Sequence, residues 1–235
     1  MFKVTDETIR RDLRALEQEG ILMRSYGGAF IQSGVENLID STIRTSVYVE
    51  SKTFIAEKCK RLINNGDVIF LDNSTTAFYI AKEIKDMRLT LVTNSLTITN
   101  YLAHQGNIRL IVAGGFLSAK EQAFYGIGAE KAIKEYYVDK AFLSCRSLSI
   151  ENGCTDSNEL WTQVRKTIIE RSKERYLVAD FSKFNQTSFM HICGFDKINA
   201  IVTDKPLGPE WHSALQSFDC GIFDEGRPDS FHDNE

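Results

Sequence analysis

Three stretches decide the fold: Asp67–Thr76 reads DVIFLDNSTT, Leu89–Ser95 reads LTLVTNS, and Ile108–Gly115 reads IRLIVAGG. Each is a short apolar run that passes directly into small polar residues or glycine. Such runs, bounded by turn formers, fit strands buried on both faces. Between them lie helical patterns over Thr75–Lys85 and Leu96–His104. Strands and helices alternating at this spacing imply the α/β class, with a mainly parallel sheet covered by helices on both faces.

The same rhythm continues downstream. A helix over Ala129–Glu135 precedes a strand over Ala141–Cys145, and a long helix over Asn158–Glu174 precedes a strand over Tyr176–Ala179. A strand over Ala200–Thr203, a helix over Pro209–Ser217 and a strand over Gly221–Phe223 complete the series. Upstream, a helix starting near Glu50 carries Ile55, Cys59, Leu62 and Ile63 on its apolar side, and Asn64-Asn65-Gly66-Asp67 turns the chain into the first strand. Residues 50–235 therefore read as one domain, whose acidic tail from Asp224 is expected to fray.

Residues 32–49 are polar and aperiodic, as a linker would be, and residues 1–31 have a different character. Thr5 can cap a helix over Asp6–Glu19 and Gly20 can end it. Ile9, Leu13 and Leu16 form one apolar stripe on that helix. Two short strands follow around Gly27-Gly28.

Composition narrows the function classes. The hydrophobic share of 43% is enough for a full-sized core, and the net charge of −4 argues against a surface coated with nucleic acid while leaving room for a small local DNA reader. No apolar run approaches the ~18 residues of a membrane span, and the N-terminus lacks a secretory apolar core, so a cytoplasmic location is expected. Cys59, Cys145, Cys154, Cys193 and Cys220 are scattered without a Cys-x-x-Cys pair, as buried thiols in a reducing compartment would be. His104, His191, His212 and His232 are equally dispersed, so no metal is expected. No cofactor motif is present: Gly126-Ile127-Gly128 lacks the third glycine of a dinucleotide fingerprint, and there is no phosphate-loop Gly-Lys-Ser/Thr.

On a helical wheel, Arg10, Arg11 and Arg14 lie opposite the Ile9 stripe. Arginine clamps phosphates and pairs with guanine, Thr8 could reach a base or phosphate, and Arg24 in the hairpin could grip an adjacent phosphate. A solvated surface helix whose arginines pair with neighbouring acids has the same spacing. At the carboxyl ends of the first three strands, Asp72-Asn73-Ser74-Thr75-Thr76, Thr93-Asn94-Ser95 and Gly114-Gly115 gather hydroxyls, helix N-termini and open backbone, which suits a phosphate on a polyhydroxylated body. Each loop could equally be helix capping or a plain turn.

The string Val4-Thr5-Asp6-Glu7-Thr8-Ile9-Arg10-Arg11-Asp12-Leu13, with Gly20-Ile21-Leu22 and Arg24-Ser25-Tyr26-Gly27-Gly28-Ala29, closely resembles the recognition helix and wing of the DeoR family of bacterial regulators. Family members carry two helices ahead of this point. The resemblance therefore implies a winged helix-turn-helix lacking its first part, and operator binding that is weak or absent for this chain. Residues from Ser51 to Asp204 resemble the family's effector domain, through Leu71–Thr76, Thr93–Ser95, Ala113–Gly115, Gly126, Asp139–Ser144, Thr155, Asp180-Phe181-Ser182-Lys183-Phe184 and Ile201–Asp204. That implies the fold of ribose-5-phosphate isomerase and the CoA transferases, a phosphorylated-sugar effector, and a symmetric oligomer, at least a dimer, acting on a DNA operator. Lys183 becomes a phosphate or carboxylate partner, or an exposed loop lysine.

Departures from the family pattern bear on the pocket. Arg146-Ser147-Leu148 stands where relatives have a glycine- and aspartate-containing turn, and Trp161-Thr162-Gln163 where they place acids. Arg146 and Trp161 could redirect ligand choice, or Trp161 could be core. The acidic cluster an isomerase needs as general base is replaced by Ser144-Cys145-Arg146-Ser147-Leu148, so no enzyme activity is expected. The alternatives to a ligand-controlled regulator are an isomerase-like enzyme and a ligand-free oligomerisation module.

Overall fold

The computed structural model describes residues 5–18, 22–25, 28–31 and 44–224. The chain divides into two compact units at Arg44/Thr45.

In the first unit, helix α1 spans Asp6–Gln18. Its N-terminus is capped as the sequence suggests: the Thr5 hydroxyl accepts from the Thr8 backbone N–H at 3.3 Å. Strands β1 (Leu22–Ser25) and β2 (Gly28–Ile31) pair antiparallel, with Leu22 opposite Ile31. Residues 32–43, Gly27 of the expected Gly-Gly turn, and Gly20 of the expected helix stop lie outside the described residues.

The second unit opens at Thr45, whose carbonyl accepts from the Tyr79 hydroxyl at 3.1 Å. Helix α2 (Val49–Arg61) is followed by β3 (Val68–Leu71), α3 (Thr75–Glu83), β4 (Leu89–Thr93), α4 (Leu96–Leu102) and β5 (Ile108–Val112). A hairpin of β6 (Phe116–Ser118) and β7 (Ala123–Tyr125) leads to α5 (Ile127–Lys134) and β8 (Val138–Leu143). Then come β9 (Ser147–Ser149), β10 (Gly153–Asp156), α6 (Glu159–Ile169), β11 (Ser172–Val178), β12 (Met190–Cys193), β13 (Ala200–Val202), α7 (Pro209–Ser217) and β14 (Gly221–Phe223).

Seven strands form a wholly parallel sheet in the order β14-β13-β11-β8-β3-β4-β5. Because side chains alternate along a strand, one face presents Ile69, Leu71, Leu91, Phe142, Tyr176 and Val202, which bury against Ile55, Ile80 and Ile98 of α2, α3 and α4. The other presents Phe70, Val92, Ala141, Leu143, Leu177 and Ile201, which bury against Ile133, Val164, Ile168 and Trp211 of α5, α6 and α7. The expected α/β architecture, with helices on both faces, is the observed one.

Two features differ from the sequence reading. The long helix expected to reach Glu174 ends at Ile169, and β11 begins at Ser172. Lys173, Glu174 and Arg175 are good helix formers, but pairing with β8 (Ser172 beside Val138, Glu174 beside Lys140) claims them for the sheet. The β6–β7 hairpin and the three-stranded antiparallel sheet β12-β10-β9 have no signal in the sequence pattern. Their strands of three or four residues are too short and too rich in Ser, Thr and Cys to show an apolar period.

Candidate ligand site and DNA-facing helix

Chain order and sheet order diverge at β3. The chain moves outward from β3 through β4 to β5, then crosses to β8 on the other side of β3 and continues through β11 and β13 to β14. The crevice at the carboxyl ends of β3 and β8 is thus the topological switch point, where open α/β sheets hold ligands. The loops singled out from the sequence follow β3, β4, β5, β8 and β11, so all open on this edge.

Asp72, directly after β3, forms the floor and is fully buried. One carboxylate oxygen accepts from the Ser74 N–H at 2.9 Å. The other accepts from the Ser144 N–H, just beyond β8, at 2.9 Å, and from Arg165 Nε at 3.1 Å. Arg165, on α6, also donates through Nη1 to Asp156 at 2.5 Å. Burial disfavours the guanidinium charge, but Asp156 and Asp72 more than offset that, and its pKa stays above the ordinary arginine value. Asp72 is therefore held inside a carboxylate–guanidinium–carboxylate bridge that ties β3, β8, β10 and α6 together.

Ser74 caps α3 by accepting from the Ala77 N–H at 3.1 Å, Thr76 is buried, and Asn73 and Thr75 are half-buried at the crevice mouth. Ser95 caps α4 by accepting from the Ile98 N–H at 3.2 Å, and its own N–H donates to the Thr93 hydroxyl at 3.0 Å. Asn94 is fully buried; its side-chain amide donates to the Phe124 carbonyl at 3.0 Å, and its backbone carbonyl accepts from the Phe124 N–H at 2.8 Å. The β6–β7 hairpin thus leans on the Asn94 loop. Gly114 is exposed and open, whereas a Cβ at Gly115 would sit 2.5 Å from the Tyr125 carbonyl oxygen and 2.9 Å from the Ala129 nitrogen. Only glycine permits that approach of β5's end to α5.

Two buried polar atoms here have no hydrogen-bond partner among the described residues: Asn94 Oδ1 and the Tyr125 hydroxyl. Tyr125 stacks on Trp161 with ring centroids 6.3 Å apart. Burial pushes its phenol far above the ordinary tyrosine value; the Arg165 charge opposes this, while Glu121, Asp72 and Asp156 reinforce it.

Arg146, half-exposed, donates its backbone N–H to the Thr155 carbonyl at 3.0 Å, and Lys183 sits half-exposed in the short 3₁₀ turn Phe181–Lys183 after β11. Sequence reasoning missed Arg165, Asp156 and Tyr125. Arg165 carried a usable signal: Trp161, Thr162, Arg165, Ile168 and Ile169 share one helical face, so a cation lies within an apolar stripe and needs buried partners.

A cleft of about 460 Å³ opens elsewhere, on the small sheet, between Asn152, Thr155, Ser188, Phe189, His191 and Phe218. Of the positions matched to the effector domain, Thr155 lines it, but none of the loops after β3, β4 and β5 does. Two of its hydroxyls are already satisfied: Thr155 Oγ1 accepts from the Ser188 N–H at 2.8 Å and donates to the Ser147 carbonyl at 3.2 Å, and the Ser188 hydroxyl lies 2.8 Å from that of Ser147. The switch point, with unpaired buried atoms, is the stronger candidate. Among the described residues, no group of three or more His, Cys, Asp or Glu is placed to hold a metal ion, and no helix is long and apolar enough to cross a membrane.

On α1, Arg10, Arg11 and Arg14 are exposed, and Arg11 Nε lies 3.5 Å from Asp12 at the surface, a pairing worth at most ~1 kcal/mol. The Thr8 hydroxyl lies 3.0 Å from that of Thr5, so it contributes to the cap. Ile9 is 44% exposed, and Leu13 and Leu16 are half-buried. The Arg24 side chain lies outside the described residues.

Comparison with known proteins gives two family matches. Residues 48–205 match the DeoR C-terminal sensor domain, and residues 1–34 match the DeoR-like helix-turn-helix domain. The HTH-type transcriptional regulator YulB of Bacillus subtilis is 41% identical over 92% of this chain and 84% of its own. The L-fucose operon activator of Haemophilus influenzae is 35% identical over 87% of this chain and 82% of its own. Among solved structures, ribose 5-phosphate isomerase A of Methanocaldococcus jannaschii aligns over 57% of this chain and 53% of its own, at 20% identity and a TM-score of 0.41, a likeness that carries no argument about chemistry.

Proposed function

The chain belongs to the DeoR family of transcriptional regulators, which are not enzymes, and from that premise we propose that it is a DNA-binding repressor of carbohydrate genes controlled by a phosphorylated sugar. The observation that carries the ligand reading is the pair of unpaired buried atoms, Asn94 Oδ1 and the Tyr125 hydroxyl, at the switch point beside the Asp72–Arg165–Asp156 bridge. An acceptor and a donor left open in a buried site are what a polyhydroxylated ligand pairs with.

The two ends of the site differ in charge. Around Tyr125, Asp72, Asp156 and Glu121 outnumber Arg165, which disfavours a phosphate there and suits sugar hydroxyls. The N-terminus of α3, with Ser74 and Thr75, and the open backbone at Gly114 suit the phosphate. Arg146 and Lys183 supply cations from the β8 and β11 side.

In the first unit, Arg10, Arg11 and Arg14 on α1, with Thr8 and Arg24, contact the operator. A ligand controls that contact only by binding the DNA-competent and DNA-incompetent states unequally, with couplings of about 1–3 kcal/mol, or roughly 5–150-fold in affinity. The test is selection of duplexes bound by this chain from a random pool, followed by affinity measurement with a panel of sugar phosphates. The expected result, in keeping with the weak operator binding expected from the sequence, is a modestly enriched duplex whose affinity falls at least fivefold with one phosphate ester. Failure to enrich any sequence above non-specific binding at moderate salt would overturn the DNA-binding reading.

A further inference from the structure

The cleft on the small sheet has a chemistry different from that of the switch point. It is walled by the β9–β10 turn, the stretch Thr187–Phe189, His191 of β12, and the Phe195 and Phe218 rings. Thr155 of β10 lies directly opposite His191 of β12, so both side chains leave the sheet on one face and form the back wall. Gly153, at φ 64°, lets the turn close on β12, because a Cβ there would meet the Cys193 carbonyl oxygen at 2.5 Å. The volume of about 460 Å³ falls within the ~300–1,000 Å³ of small-molecule sites.

The walls use most of their own donors. Beyond the Thr155, Ser188 and Ser147 bonds given above, Asn152 Nδ2 donates to the Thr187 hydroxyl at 3.3 Å, and that hydroxyl donates to the one of Ser149 at 3.1 Å. What stays open is rich in acceptors. Among the described residues, the exposed Glu151 carboxylate has no hydrogen bond or ion pair, and Asn152 Oδ1 has no hydrogen bond. His191 adds an acceptor nitrogen when its imidazole is neutral.

Three phenyl rings stand around these acceptors: Phe189 is 87% exposed, Phe218 is 44% exposed, and Phe195 is buried as the floor, 6.2 Å from Phe218. The face of a phenyl ring is negative and attracts a cation. No lysine or arginine lines the cleft, so an anion finds the Glu151 charge against it and no cation to hold it. The phosphate esters that suit the switch point do not suit this cleft.

We propose that the cleft is a second ligand site, separate from the switch point, that takes a protonated organic amine with an apolar body. The ammonium group donates to the Glu151 carboxylate and Asn152 Oδ1. Its ring or chain replaces water against Phe189, Phe218 and Ile150, which is 39% exposed.

The experiment is a ligand-observed NMR titration of the full chain with phenethylammonium, neutral 2-phenylethanol and anionic 3-phenylpropionate, repeated on Glu151→Gln and Phe189→Ala. Both substitutions fall on exposed positions, and circular dichroism checks that each variant is folded. The expected result is saturable binding of the ammonium ion, with the alcohol roughly tenfold weaker and the carboxylate not saturating. Glu151→Gln removes the preference for ammonium over alcohol, and Phe189→Ala weakens both at least threefold. Equal affinity for ammonium and alcohol in the wild type, no saturation by the ammonium ion, or wild-type binding in both variants would overturn the proposal.

Discussion

Arg165 holds two buried carboxylates in place, and replacing it with leucine isolates that role. In Arg165→Leu the fully buried Asp72 and the 2%-exposed Asp156 lose their shared cation. Removing one partner of a buried ion pair costs about 3–5 kcal/mol, because the remaining charge is stranded. Asp72 keeps the Ser74 and Ser144 backbone donors and Asp156 keeps that of Ser157, which places the expected loss near the lower bound, ~3 kcal/mol at pH 7. For a unit of this size that lowers the melting temperature by roughly 6–12 °C. Urea unfolding at pH 7, followed by circular dichroism, measures this. A variant within ~1 kcal/mol of wild type would refute the reasoning.

Three further predictions follow from particular residues. Gly115→Ala drives a Cβ to 2.5 Å from the Tyr125 carbonyl oxygen and costs about 1–3 kcal/mol, whereas Gly114→Ala meets nothing within 4 Å and stays within ~0.5 kcal/mol in the same unfolding assay. Replacing Arg10, Arg11 and Arg14 together by alanine lowers the slope of log affinity against log salt on a random duplex by ~0.9 for each phosphate no longer neutralised; an unchanged slope would remove α1 from the DNA-contacting surface. All five cysteines are buried free thiols, and burial, with Cys193 and Asp219 adding, pushes Cys220 up to about 12, so labelling by a thiol reagent at pH 8 should wait for unfolding. Rapid modification of the native protein would contradict that burial.

The sheet was legible because its strands advertise themselves. Val68–Leu71 and Leu89–Thr93 are apolar on both faces and end in Ser74 and Ser95, which the structure shows capping the next helices. Local chemistry fixed those boundaries, so local reading found them. The β6–β7 hairpin depends instead on distant partners, through Asn94 on Phe124 and Gly115 against Tyr125, and no period within Phe116–Tyr125 announces it. Ser172–Arg175 misled for the same reason: helix propensity there is good, and only pairing with β8 overrides it. At the candidate site the carboxylate–guanidinium bridge went unread. The Arg165 partner of Asp72 lies 93 residues away, beyond any local pattern, and Tyr125 falls in a segment without an apolar period.

The most direct test of the central claim, that the β3/β8 switch point receives a phosphorylated sugar, is a thermal-shift screen of this chain against sugar phosphates and their unphosphorylated parents, run beside Tyr125→Phe. A phosphate ester at a hundred times its dissociation constant adds about 2.7 kcal/mol, a rise of roughly 5–10 °C. The account predicts that one ester gives this rise, that its parent sugar does not, and that Tyr125→Phe melts like the wild type alone but responds more weakly to the ester. No response to any ester, or an equal response in Tyr125→Phe, would contradict it.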